Sequence, residues 1–400
     1  MYAIVLDGQL KSALAATRSL GSAGVAVWVG AERATGMALH SKYATHRFTY
    51  PSPYVSQEAF AEEVIRVARL CAEKPVLYAF SDATYLSLYM FRHRIAPHAY
   101  IEFPEEESVH IAFDKAATYS LARISGIPTI PTHIPAHKDE LHRIAMSASY
   151  PMVVKTRRSV TWRDGVGVFG SASFVHSPQA LIERCVALLQ KTGEMPLIQE
   201  FVRGEEYGVE MLAKEGHVYA VVAHHRIRSL SPTGGASVLK ETLDEGVLYR
   251  ELCEHAETLV KKLSWTGPIM VEFKVEQDTR TPYLMEINGR FWGSLPLSIY
   301  AGADVPVRYY EATVSGGGID VVTHGSVGVV SIHRLGDVYN LFRVLFAKDV
   351  MRAILYPRRT KAIRDFFRLP PRTRGDVWWW RDPKPALMEI VDTFAKMRGT

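Results

Sequence analysis

Cysteine is scarce in this chain: three in 400 residues, at Cys71, Cys185 and Cys253. They stand far apart and are odd in number. That argues against a disulfide framework or a zinc cluster and fits a reducing cytoplasm. Long apolar runs are missing too; nothing approaches the roughly 18–20 residues a bilayer-crossing helix needs. The opening MYAIVLDGQL lacks a basic segment followed by a cleavage site, so it reads as a buried strand and not as a signal peptide. Where a dinucleotide fold would carry GxGxxG after that strand, DGQL stands, which disfavours a nicotinamide cofactor. The GxSxG elbow is absent, as is a persuasive Cys–His pair, so no protein nucleophile stands out. There is no internal repeat and no low-complexity tract.

What is present is ordinary soluble composition, with 48% hydrophobic and 22% charged residues. The length predicts two or three compact units sharing a cleft. The net charge of +5 is unevenly spread: residues 320–400 hold 15 Lys/Arg against 8 Asp/Glu, while the rest is close to balance. A solvated basic face explains this, as does an anionic partner such as a substrate, a membrane surface or nucleic acid.

Apolar runs at 2–6, 25–29 and 75–80 alternate with helical patterns at 9–20 and 82–93. This alternation predicts a parallel α/β sheet. A new unit begins near Asp114, with a helix to 125 and an extended, proline-punctuated link IPTIPTHIP. Strands follow at 150–155, 171–175, 196–202, 207–213 and 217–227, with helices at 178–191 and 245–263. IMVEFKV (269–275) and PYLMEIN (282–288) face each other across QDTRT, as a hairpin does. From about 320 the pattern becomes basic, aromatic and helical.

That hairpin delivers Glu272 and Glu286, one from each strand, and Asn288 lies two residues beyond Glu286 on the same face. Either these are the solvent-facing residues of an antiparallel pair, or they form an oxygen-ligand set of the kind magnesium takes. Arg290, two residues further, can present a planar fork to an oxyanion. The order of acid, amide and base in MEINGRFWGS favours the second reading.

With VEFKV before it, this string resembles the ATP-grasp superfamily, in the branch of biotin carboxylase, carbamoyl phosphate synthetase and carboxylate–amine ligases. The resemblance covers roughly residues 1–310. It implies a Rossmann-like parallel α/β domain (1–112), then an ATP-grasp fold of two α+β subdomains (113–195 with a lid loop, 196–319 with the metal site), and a mostly helical C-terminal extension (320–400). It implies ATP and magnesium as cofactors, with manganese as an alternative. By carry-over, Glu272 and Glu286 ligate magnesium, Asn288 ligates a second one, and Arg290 faces the transferred phosphate or the substrate carboxylate. Lys115, in FDKAATYS, and Lys155, closing YPMVVK, contact the ATP phosphates. LIQEFVRGEEYGVEML resembles the adenine hinge, with backbone groups of Glu200 and Val202 on the base and Glu206 on the ribose. Glu205 is a polar hairpin tip. Arg226, with Gly234 and Gly235, lines the acceptor side as a phosphate contact, and no metal is expected at His224 and His225. RRSVTWRDGVGVFG (157–170) stands where the family has its mobile lid, though with only three glycines. Gly289 replaces a common proline, which leaves Arg290 less constrained.

The function implied is ATP-dependent activation of a carboxylate as an acyl phosphate for attack by an amine. Carboxylation or carbamoyl transfer through carboxyphosphate is the alternative enzyme, and a nucleotide-binding scaffold without catalysis is the non-enzyme. The partners are then small-molecule carboxylates and amines. For the C-terminal stretches DVYNLFRVLFAKDVMRAILYPRR and DVWWWRDPKPALMEIVDTF, packing as core, a surface-seeking amphipathic helix on an anionic surface and a lid over the acceptor all stay open. No nucleic-acid module is recognisable there.

Overall fold

Successive side chains of YAIV point to opposite faces, and every one past Tyr2 is buried, so this strand must be covered on both sides. The structure, a computed structural model, describes residues 1–232, 234–316, 323–347 and 352–398. In it β1 (Tyr2–Val5), β2 (Ala26–Ala31), β3 (Ala44–Thr49) and β4 (Val76–Tyr78) form a parallel sheet in the order β3-β2-β1-β4. Ile4, Leu6, Phe60 and Leu77 pack on one face, and Val5, Leu14, Val27 and Val29 on the other. β3 and the helix Gln57–Ala68 were not foreseen: the strand shows solvent-facing polar residues, and the helix is announced mainly by its Ser56 cap on Ala59 N.

The carboxyl ends of β1 and β4 lead into the helices Lys11–Ser22 and Asp82–Met90. Asp7 binds the two ends together, its buried carboxylate accepting from Phe80 N (2.8 Å), Ser81 N (3.0 Å) and Thr84 Oγ1 (2.7 Å). That rim is where open α/β sheets place ligands.

The second unit is an antiparallel sheet of β5 (Thr132–His133), β6 (Met152–Lys155), β9 (Ala172–Val175) and β10 (Leu197–Glu200), ordered β5-β10-β6-β9. Between β6 and β9 the chain makes a separate hairpin, β7 (Val160–Arg163) and β8 (Val166–Phe169), turned by Asp164 and Gly165 at positive φ. The helix Pro178–Thr192 runs from a Ser177 cap to left-handed Gly193, as SPQ…TG dictates. It packs on the sheet beside Lys138–Ser147, a helix the sequence reading passed over.

The third sheet joins β11 (Gly204–Lys214), β12 (His217–Ser231), β13 (Gly234–Thr242), β14 (Gly267–Glu276), β15 (Pro282–Asn288), β16 (Thr323–His324), β17 (Val330–Ile332) and β18 (Arg374–Gly375). Its order is β15-β14-β11-β12-β13-β17-β18, with β16 beside β12. The last fifth of the chain is therefore woven into this sheet as well as helical. The expected boundary at 319/320 and residues 348–351 of the basic stretch lie outside the described residues. Asp376, 1% exposed, accepts from Lys11 Nζ (2.6 Å) of the first unit and Lys240 Nζ (2.5 Å) of β13. Asp337, at the start of the helix Arg334–Phe346, receives Arg228 of β12 at 2.7 Å.

Candidate active site

β14 and β15 are antiparallel, and Glu272 and Glu286 are direct cross-strand partners. Both carboxylates therefore project from one face. Asn288 Nδ2 donates to Glu272 Oε1 at 3.2 Å, which leaves its amide oxygen to accept Arg290 Nη2 at 2.9 Å. The first unit reaches in at this point: Arg290 Nε donates to Asp82 Oδ1 at 2.7 Å.

Cations stand opposite these acids. Lys115, the first residue of the helix Lys115–Ile124, holds Glu286 at 3.1 Å. Lys155, at the end of β6, donates to Tyr119 Oη at 2.5 Å. Arg226 bridges Glu206 (3.0 Å) and Glu272 (3.1 Å) from β12, and Lys274 lies 3.6 Å from Glu206. A cleft of about 900 Å³ is lined by Lys115, Lys155, Glu200, Val202, Glu206 and Arg226, together with Glu272, Glu286, Asn288 and Arg290. All the sequence-predicted site residues thus meet in one cavity.

The cations that line the cleft, Lys11, Lys115, Lys155, Arg226, Lys274 and Arg290, outnumber its carboxylates, Glu200, Glu206, Glu272 and Glu286. Burial alone would raise Glu286, but Lys115 and Lys155 hold it down to about 2. Glu272 moves the other way: burial and the charges of Glu286 and Glu206 push it up, against the pull of Arg226. Burial, with Lys115 alongside, brings Lys155 down to about 7. Such a basin, short of negative charge and partly dehydrated, is made for a polyanion.

A family model described as ATP-grasp in the biosynthetic pathway with Ter operon matches residues 193–331. Solved structures extend the likeness over most of the chain. A biotin carboxylase complex from Campylobacter jejuni is 16% identical at a TM-score of 0.65, covering 82% of this chain and 74% of that one. The biotin carboxylase domain of a Hydrogenobacter thermophilus 2-oxoglutarate carboxylase, with MgADP and bicarbonate, is 14% identical at 0.62, covering 82% and 73%. An L-amino acid ligase from Bacillus licheniformis is 15% identical at 0.57, covering 78% and 73%. The chain has the ATP-grasp fold. No match is found among curated proteins. No helix among the described residues is long and apolar enough to cross a membrane.

Within this cleft the donor set suits magnesium. Two carboxylates and an amide oxygen are hard ligands, and among the described residues no three His, Cys, Asp or Glu cluster as a closed cage. An ion held by Glu272, Glu286 and Asn288 must complete its shell with phosphate oxygens and water, as magnesium does.

The local structure refines three expectations. Glu200 N donates to Pro131 O at 3.1 Å, so of its backbone groups only the carbonyl is left to serve a base. Gly289 does not loosen Arg290. A Cβ there would come within 2.5 Å of the buried Trp265 ring, so glycine fits the packing. Arg290 meanwhile is fixed by Asp82, Asn288 and Phe291 O. The stretch 157–170 is an ordered hairpin lying on the first unit: Tyr54 stacks on Phe169 at 4.2 Å, and Trp162 Nε1 donates to Pro53 O at 3.1 Å.

Several residues escaped the sequence reading. Asp114 caps the Lys115 helix through Ala116 N (2.9 Å) and takes Arg157 (2.7 Å) and Arg158 (3.1 Å). Those arginines overcome its burial and hold it below the usual carboxylate range. The FDK string carried that cap signal. Tyr119 ties Lys155 to Met285 O (2.7 Å), and Asp82 had only its place after a strand to mark it. His224 is buried against Glu210 at 3.3 Å, behind the site, and burial pushes Glu210 up to about 7.

Proposed function

We propose that this protein is an ATP- and magnesium-dependent ligase that phosphorylates a carboxylate and passes the acyl group to an amine. The observation that carries this reading is the facing pair Glu272 and Glu286 in a cleft with a surplus of cations. Glu272, Glu286 and Asn288 hold magnesium, which when bound neutralises and orients the phosphate oxygens.

Lys115 and Lys155 act on the phosphates as point charges. Lys115 already sits on Glu286 and follows the negative charge as the nucleotide arrives. The Glu200 carbonyl and the Val202 amide take the adenine edge, and Glu206 the ribose. Arg290, clamped edge-on by Asp82, orients the acceptor carboxylate. A carboxylate oxygen attacks the γ-phosphorus as its bond to ADP breaks, giving an acyl phosphate. The amine then adds to the acyl carbon, phosphate leaves, and the nitrogen gives up a proton. The residues' work is positioning and charge stabilisation, and no covalent protein intermediate is needed. The ligase of similar fold supports an amine as the second nucleophile. The two biotin carboxylase structures keep carboxyphosphate, formed from bicarbonate, as a second reading.

The test is ADP and phosphate release with ATP and magnesium, over panels of carboxylates with and without amines, and with bicarbonate. Turnover should require a carboxylate and an amine, and Glu286→Gln should lower it by about a hundred- to a thousandfold with the fold intact. Turnover with bicarbonate and no other carboxylate selects the second reading. Unchanged turnover in Glu286→Gln rejects the metal assignment. Nucleotide binding with no acceptor-dependent turnover points to a scaffold.

A further inference from the structure

A surface helix ordinarily lays its apolar stripe on the core and turns its polar side to water. The helix Arg334–Phe346 does the reverse. Inward it sends polar groups: Asp337 takes Arg228, Asn340 Nδ2 donates to Ser229 O at 2.7 Å, and both residues are buried. Outward it shows Val338, Tyr339, Phe342 and Phe346, which share one face at helical spacing. Phe342 is 57% exposed and Phe346 69%, and their rings stack on each other.

The helix Arg359–Phe367 packs beside it and contains no buried residue. Ile363 and Phe367, one turn apart, are exposed, Phe367 by 77%. Arg359 Nε donates to Leu345 O at 3.0 Å, and Arg228 Nη1 to Asp365 O at 3.1 Å. One arginine of β12 therefore anchors both helices from beneath. Single exposed apolar residues are ordinary, but two adjoining helices that both turn phenylalanine outward make a patch that calls for a partner.

Charge decides which partner. The described residues of 334–372 hold nine Lys/Arg and two Asp. Asp337 is buried under Arg228, and Asp365 is paired with Lys361 and Arg364. Arg343, Arg358, Arg368 and Arg372 are exposed, and none has an ion pair among the described residues. A second copy of this chain would bring the same excess of positive charge to the patch and be repelled. Anionic lipid headgroups match the arginines, and the acyl boundary below them accepts aromatic rings while the arginine stems lie along the apolar surface. No helix among the described residues can cross a bilayer, so such a contact is peripheral.

We propose that the helices Arg334–Phe346 and Arg359–Phe367 dock this protein on an anionic membrane surface, with Phe342, Phe346 and Phe367 at the headgroup boundary and the arginines on the lipid phosphates. The contact belongs to this surface alone and does not depend on the reaction assigned to the cleft.

The test is co-sedimentation of the full chain with vesicles of phosphatidylcholine alone and of equal parts phosphatidylcholine and phosphatidylglycerol. Binding should be about tenfold or more stronger on the anionic vesicles and should weaken as salt is added. Phe342→Ser, Phe346→Ser and Phe367→Ser together should weaken it about tenfold or more, and Arg343→Glu with Arg368→Glu should remove the preference for anionic vesicles. All five side chains are exposed, so both variants should melt as the unaltered chain does. The proposal is overturned if the chain sediments with neither vesicle, if it binds both alike, or if neither set of substitutions changes binding. A dimer seen by light scattering that the phenylalanine substitutions break would assign the face to a second copy and overturn it too.

Discussion

Two hairpins border the cleft, and they are built in opposite ways. β14–β15 is part of the eight-stranded sheet, and the outer edge of β15 is covered by the link at 128–130 through Leu284 N to Pro128 O (2.8 Å). β7–β8 pairs with nothing but itself. One ring stack and hydrogen bonds to Pro53 and Tyr54 hold it to the first unit, and Arg163 on Gln190 O with Lys191 on Phe169 O (3.2 Å) tie it to the helix Pro178–Thr192. An isolated two-stranded ribbon is marginal in water, whereas a strand in a covered sheet opens only with the core. The first hairpin therefore suits groups that must hold a fixed geometry, and the second opens at the lower cost.

The comparison is broken most directly at β14. Glu272→Gln should cost about a hundredfold or more in turnover while the melting temperature shifts by only a few degrees. Steady-state kinetics with a thermal melt checks this, and a loss of turnover that tracks unfolding would mean the hairpin is merely structural. Next in size, Asp82→Ala removes a charge-assisted bond from Arg290 and should lower kcat/KM for the acceptor about ten- to a hundredfold, with nucleotide affinity unchanged. Equilibrium nucleotide binding beside acceptor kinetics separates the two.

A third effect concerns Lys155. Below its value of about 7 the amine is already protonated, and phosphates bind without proton uptake. Above it, binding must recruit a proton, so nucleotide affinity should fall as pH rises, by up to about tenfold per unit. Lys155→Arg stays charged and should flatten that slope in calorimetric titrations from pH 6 to 9. The smallest effect belongs to the other hairpin. Tyr54→Ala removes a stack worth about 0.5–1.5 kcal/mol, so amides at 160–169 should exchange about two- to tenfold faster. Those at 267–288 should not change, and equal acceleration in both would erase the distinction drawn here.

The parallel sheet and the metal-side hairpin could be read from the chain because their signals are local. Buried alternation in YAIV and in IMVEFKV survives any context, and the caps at Ser81 and Ser177 sit beside the helices they start. β13 hid itself: its Lys240 is fully buried, which a strand tolerates only because Asp376 arrives from 136 residues away. Asp82 and Arg290 are 208 positions apart, and neither carries any sign of the other. The hairpin β7–β8 was missed for a different reason: Val166 and Phe169 are exposed and only Val160 is buried, so no alternating buried face marks a strand. Within the site, the charge-bearing residues were readable as types in order. Their pairing, Lys115 with Glu286 and Arg226 with Glu272, needed three dimensions.

Asp376 has a consequence for how the molecule comes into being. Its two lysines are translated hundreds and scores of residues earlier, and Lys240 is then an amine in an apolar wall with nothing to neutralise it. Units emerging from the ribosome fold in order, amino end first. Here the ion pair that ties the earliest helix to the central sheet closes only at almost the last turn of synthesis, so a nascent chain halted before that aspartate would hold these parts by apolar contacts and the Lys11 bond to Ser237 O, with Lys240 left uncompensated.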